Sequence, residues 1–219
     1  MNPRLSSRLT AEFLGTGLLV MAVVGSGAMA ENLSKDIGVQ LLANSLATVG
    51  ALISLIWMFE PISGAHFNPV VTLSQCTLNG LPWTNLVTYV IAQTSGGIAG
   101  AALANAMFSL DVLGPSTKVR EGGGVWLGEV VATLTLLLII HVIGKRNQNL
   151  VPIAVGIWIG GAYWFTSSTS LANPSVTIAR AFSESFAGIA PQSVAAFVIA
   201  QIAGLVIAVP VIRLLNQRN

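Results

Sequence analysis

The chain has 219 residues, 53% hydrophobic and 8% charged, with a formal net charge of +2 and a mean hydropathy of +0.77. Soluble domains carry about 25% charged residues, so the composition excludes a water-soluble globule and marks a membrane protein. The small positive charge follows from a loop asymmetry described below and gives no case for a nucleic-acid partner.

A spanning helix needs about 20 apolar residues. In chain order, runs of about that length occupy residues 9–30, 38–58, 84–107, 124–143, 151–167 and 192–215. Between the second and third, a helical segment starts at Asn68-Pro69 and ends near Leu78; between the fifth and sixth, another runs from Asn173-Pro174 to near Phe182. Both are too short to cross a bilayer and read as re-entrant half-helices. The first run is too long, and too lacking in a cleavage signature, for a removable signal peptide. No soluble domain, low-complexity tract or long linker stands out, so residues 1–219 are expected to form one all-α transmembrane domain.

Orientation is set by Lys and Arg in short loops. With six spans, Arg4, Arg8, Lys145, Arg146, Arg213 and Arg218 share one side. Lys35, Lys118, Arg120 and Arg180 share the other, mixed with Glu31, Asp36, Asp111, Glu121 and Glu184. This places both termini in the cytoplasm.

The chain repeats itself. "AEFLGT" at 11–16 pairs with "GEVVAT" at 128–133, "HFNPVVT" at 66–72 with "LANPSVT" at 171–177, and "IAQTSG" at 91–96 with "IAQIAG" at 199–204, in the same order. The halves, approximately 1–115 and 116–219, each hold three spans, so the second enters from the opposite face. They form an inverted repeat with its site near the midplane.

The doubled Asn-Pro then has a physical purpose. Proline suits the first helical turn, and Asn before it is a good N-cap. Non-helical backbone at membrane depth must be buried in protein or line a wet cavity. Inverted symmetry brings the two half-helix N-termini together, each carrying roughly half a positive charge. Such a point repels cations while the Asn68 and Asn173 amides offer donors to an uncharged solute.

Glu12 and Glu129 lie within spans, where an ionisable group is a functional candidate. Either they couple protons to transport, or each accepts hydrogen bonds from the irregular backbone before a half-helix. Symmetric placement, one per re-entrant loop, favours bracing. The single Cys76 excludes an internal disulfide. With His66 and His141 far apart, neither a metal site nor a cofactor is indicated; Cys76 is expected in packing and His141 near the end of its span. The "GTG", "GSGA", "GGIAGAA" and "GIWIGGA" clusters serve close helix contact.

"SGAHFNPVVTL" at 63–73 resembles the signature of the aquaporin family, the major intrinsic proteins, departing from Ser-Gly-Ala-His-x-Asn-Pro-Ala-Val-Thr only at Val70. "AEFLGT", "YVIAQTSGG" and the second Asn-Pro segment extend the resemblance over essentially the whole chain. It implies six transmembrane helices with two half-helices, a homotetramer with one pore per subunit, and a cell inner membrane location. Asn68 and Asn173, with Val70 and Ser175, would form the central constriction, and backbone carbonyls of Gly64, Ala65 and His66 would line the cytoplasmic half.

The departures concern the outer filter. The family holds there an aromatic residue, a His or Gly, a variable residue and an Arg; the matching positions are Thr48, Gly161, Ser170 and Val176. The resemblance thus implies a wide, uncharged filter. Arg180, one helical turn after Val176, has two readings: partial replacement of the missing charge, or, as is usual for an arginine at the membrane edge, snorkelling to water. Valine at the arginine position is similar to aquaglyceroporin-type channels of rhizobial arsenic-resistance operons, which pass arsenite. The expected function is passive conduction of small neutral solutes, arsenous acid foremost, with glycerol, related polyols, urea and water. A channel with glycerol or water as its main solute is the near rival, and a proton-coupled transporter using Glu12 or Glu129 the distant one. No nucleophile and base constellation suggests an enzyme.

Overall fold

The computed structural model describes residues 3–217; Arg218, counted above for orientation, lies outside them. The described residues are helical and irregular, without strands. The first half comprises α1 (Leu5–Leu33), α2 (Ile37–Ser63), the half-helix α3 (Pro69–Leu78) and α4 (Thr84–Met107). The second comprises α5 (Gly123–Leu138), which continues through a π-helical turn (Ile139–Ile143) into α6 (Gly144–Arg146). It goes on to α7 (Val151–Phe165), the half-helix α8 (Pro174–Arg180) and α9 (Pro191–Asn216).

Five spans are long and apolar enough to cross a bilayer by themselves. The sixth, α7, has 15 residues, shorter than the 151–167 run. It stops at Phe165 because the chain there turns extended at Thr166 to descend as the second re-entrant loop. Helix α8 likewise ends at Arg180, short of Phe182. Both half-helices start at proline with Asn as N-cap, and α2 is capped by Asp36, which accepts from Gly38 and Val39 N–H.

The halves pack alike. Helix α1 lies against α2 and α4, α5 against α9, and α2 meets α7 across the halves. Each half-helix touches the long helices of the other half as well as its own, α3 against α9 and α8 against α4. The α1–α4 crossing has no room for side chains: a Cβ on Gly96 would stand 2.2 Å from the Phe13 carbonyl oxygen, and one on Gly100 2.0 Å from that of Gly17. At α5–α9 the repeat mate of Gly96, Gly204, would meet the Val130 carbonyl oxygen at 2.8 Å. Phe13 and Val130 are themselves mates, so the duplicated sequence builds the same crossing twice. Backbone offers no rotamer escape, so Gly100→Val should separate α1 from α4 and cost more than the roughly 1–3 kcal/mol of ordinary overpacking. Thermal unfolding in detergent checks this, against Gly50→Val, whose Cβ meets nothing within 4 Å.

Candidate functional site

The two re-entrant loops share one unusual backbone. Gly64, Ala65 and Phe67 have φ of 88°, 48° and 50°, and their mates Thr169, Ser170 and Ala172 have 61°, 52° and 48°. Left-handed backbone costs non-glycine residues about 1–3 kcal/mol each, so surrounding bonds must impose it. Glu12, fully buried, accepts from His66 N at 2.9 Å, Phe67 N at 2.7 Å, Ser63 Oγ at 2.6 Å and Gln93 Nε2 at 2.7 Å. Glu129, equally buried, accepts from Leu171 N at 2.9 Å, Ala172 N at 2.8 Å and Gln201 Nε2 at 2.7 Å. Each glutamine also donates to the threonine one turn inside the half-helix, Gln93 to Thr72 and Gln201 to Thr177, both at 2.9 Å. These threonines donate in turn to the carbonyls of Asn68 and Asn173.

Each asparagine divides its bonds in three. Oδ1 caps the half-helix, Asn68 accepting from Val70 N at 3.0 Å and Asn173 from Ser175 N at 3.0 Å and Val176 N at 3.2 Å. Nδ2 crosses to the opposite loop, Asn68 donating to the Ala172 carbonyl and Asn173 to that of Phe67, each at 2.8 Å. An amide nitrogen carries two hydrogens, and both residues line one cavity. The second hydrogen of each has no protein acceptor among the described residues.

One wall of that cavity is apolar, with Leu19, Val23, Leu52, Ile56, Leu136 and Val155; the other is the two loops, 65–68 and 170–173. Ala65 and His66 line it with Phe67, but Gly64 does not: its N–H closes α2 on the Glu60 carbonyl. Val70 and Ser175 also stand off the cavity. They follow the prolines on the side of each half-helix that packs inward, and Ser175 Oγ bonds Thr94 Oγ1 at 2.9 Å. Val71 and Val176, one position on, line the cavity instead. Thr48, Ser170 and Val176 all line it.

Gly161 does not; it is exposed on the far face of α7. The cavity face of α7 is Val151, Val155, Ile159 and Tyr163, every fourth residue, and Tyr163 Oη lies 3.1 Å from Thr48 Oγ1. Nor does Arg180 snorkel. It is 2% exposed and lines the cavity beyond Val176. An aromatic and an arginine are therefore present, from other positions than family spacing indicates.

A family model described as "Major intrinsic protein" matches residues 2–170. The chain belongs to the major intrinsic protein family. It is 47% identical over 213 residues to aquaglyceroporin AqpS of Rhizobium meliloti (strain 1021), covering 97% of this chain and 91% of that one. It is 28% identical to aquaporin NIP2-1 of Oryza sativa subsp. japonica, over 75% of this chain and 55% of the relative. The fold matches the X-ray structure of the aquaglyceroporin from Plasmodium falciparum with a TM-score of 0.73, at 20% identity, covering 98% and 97% of the two chains. This major intrinsic protein is thus a multi-pass membrane channel for small neutral solutes, not an enzyme.

Sequence reading missed several contributors to this site. Gln93 and Gln201 stood inside the repeated "IAQ" but were not read as partners of Glu12 and Glu129, although their pairing in register with the glutamates was the available signal. His141 does more than end a span: in the π-helical turn it meets Ser74 Oγ of α3 at 2.9 Å and Asn79 Nδ2 at 3.4 Å. Cys76 is buried and free.

Two outcomes follow from this geometry. Glu12→Gln leaves loop N–H groups facing an amide that cannot accept them all, at about 1–3 kcal/mol per unpaired group. Its melting temperature in detergent should fall by several degrees and solute flux should ignore a proton gradient; normal stability with abolished flux would mark Glu12 as a coupling site instead. Val176→Arg should block polyols in vesicles while water still passes, whereas Gly161→His, on the outer face, should leave the solute profile unchanged.

Proposed function

We propose that the protein conducts arsenous acid, with glycerol, related polyols and water as further solutes, as a passive pore in each subunit of a homotetramer. Its place is the cell inner membrane, with both termini cytoplasmic. The observation that carries this reading is the two-sided cavity. A solute with hydroxyls on one flank finds donors at Asn68 and Asn173 and loop groups at 65–67 and 170–172, while its less polar flank meets Leu, Val and Ile. Arsenous acid is neutral and polyhydroxylated at pH 7, and glycerol has the same pairing of hydroxyls with apolar surface.

Cations are disfavoured by the meeting of two helix N-termini and by the scarcity of acceptors on the apolar wall. Glu12 and Glu129 have their oxygens engaged by loop and glutamine donors, which supports a static role for both. The name of the Rhizobium relative, an aquaglyceroporin, agrees with solutes larger than water. The lysines and arginines on the terminal side support the orientation.

Purified protein in vesicles tests the proposal with arsenite, glycerol, urea and water as the panel. Flux of arsenous acid should rise linearly with concentration and ignore an imposed pH gradient. Saturable, gradient-driven accumulation would make it a transporter, and glycerol flux without arsenite flux would restrict it to polyols.

A further inference from the structure

Arg180 ends α8 one helical turn beyond Val176, buried yet lining the outer end of the cavity. Its Nε donates to the Ala187 carbonyl. Among the described residues its guanidinium has no carboxylate in an ion pair and no second protein acceptor, though it carries five N–H donors. Removing a cation from water costs several kcal/mol unless partners compensate. The one protein acceptor it has among them, the Ala187 carbonyl, belongs to a cluster. Three successive carbonyls each accept from a different cation: Phe186 from Lys118 Nζ at 2.7 Å, Ala187 from Arg180, and Gly188 from Arg120 Nε at 3.0 Å.

Lys118 and Arg120 belong to the linker between the halves, so the linker reaches over the mouth and grips the segment that holds Arg180. The grip is fastened from both sides. Glu31 at the end of α1 accepts from Phe186 N at 2.8 Å, and Glu184 accepts from Thr117 N and Oγ1. Lys118 also lies 4.4 Å over the Phe186 ring. Burial, then the charges of Arg120 and Arg180, push the Lys118 ammonium down to about 8, as expected of cations held close together. Arg120 donates further to Thr169 Oγ1 at 3.3 Å, beside Ser170, whose buried hydroxyl has no protein partner and lines the cavity.

We propose that Arg180 is the specificity-determining cation of the outer constriction, delivered from one turn beyond Val176, and that Lys118 and Arg120 are positioning residues that aim it by clamping the carbonyls of 186–188. The proposal rests on the neutral-solute reading above. Its consequence is a mouth narrower than Thr48, Ser170 and Val176 alone would leave, with a positive charge that opposes protons and cations.

The test uses full-length protein in vesicles, with glycerol, erythritol and xylitol as probes of size and a trapped pH dye reporting proton leak. Arg180→Ala should raise xylitol permeability about tenfold, the effect of about 1.36 kcal/mol of barrier, and should admit protons. Arg180→Lys should restore proton exclusion without restoring the size limit, because an ammonium keeps the charge but lacks the planar fork. Lys118→Met and Arg120→Gln should each reproduce part of the Arg180→Ala change and add nothing when combined with it. An Arg180→Ala channel with the original size limit and proton exclusion would overturn the proposal, and so would linker variants whose effects add to it. Should Arg180→Ala fail to insert, Arg180→Lys and Arg120→Gln decide in its place: an unchanged size limit in both overturns the proposal. These readouts use polyols and protons, so a wild-type channel that excludes arsenite would overturn that substrate alone.

Discussion

Everything at the centre of this channel depends on two asparagines bonding across a symmetry axis. Each caps its own half-helix with Oδ1 and ties the opposite loop with Nδ2 at 2.8 Å, leaving one amide hydrogen without a protein acceptor among the described residues. If either asparagine moved, one half-helix would lose its cap and the other loop its anchor. The glutamates, glutamines and threonines behind them are the means of fixing that geometry in a medium without water. The loops could not otherwise hold five non-glycine residues in left-handed backbone.

Symmetry makes this economical in sequence. One set of residues, Glu with Gln and Thr behind an Asn-Pro start, is written twice and folded twice, and the helix crossings at Gly96 and Gly204 repeat as well. Function requires the symmetry to stop at the mouths. On the first half the loop presents His66, bonded to Thr72 at 3.1 Å and with its ring tilted at 44° to that of Tyr89. On the second half the corresponding loop presents Leu171, and the charged group comes from Arg180 instead.

The sequence disclosed what is local or periodic. Asn before Pro, apolar runs of spanning length and an in-order duplication all have direct physical meaning, and they were enough for the architecture and for Glu12, Glu129, Asn68 and Asn173. Which residues face the cavity was less accessible. Gly161 holds its filter position only by spacing from the second Asn-Pro, and that spacing assumes where α7 ends and how the loop descends; the helix instead presents Tyr163. Val70 and Ser175 adjoin the prolines in sequence, yet a helix turns about 100° per residue and points them into packing. For Arg180 the sequence leaves two readings, and snorkelling is the usual one because a lone arginine near a helix end ordinarily reaches water; the carbonyl that holds it comes from a segment with no local signature.

Two aspects of the site bear on what it conducts. On the proposed function, loop groups at 65–68 and 170–173 face apolar side chains across the cavity, the two half-helix N-termini put positive potential at its centre, and Arg180 adds a cation to its lining. Such a path would solvate a hydroxylated, uncharged solute along its length and oppose a cation at both positive groups. Net arsenous acid flux through the purified protein in vesicles, followed while the membrane potential is varied, decides between a neutral-solute pore and an ion-conducting one. Flux that follows the concentration gradient alone, indifferent to voltage, is the result the account requires. Flux that tracks the voltage, or arsenite movement accompanied by a proportional ionic current, would contradict it.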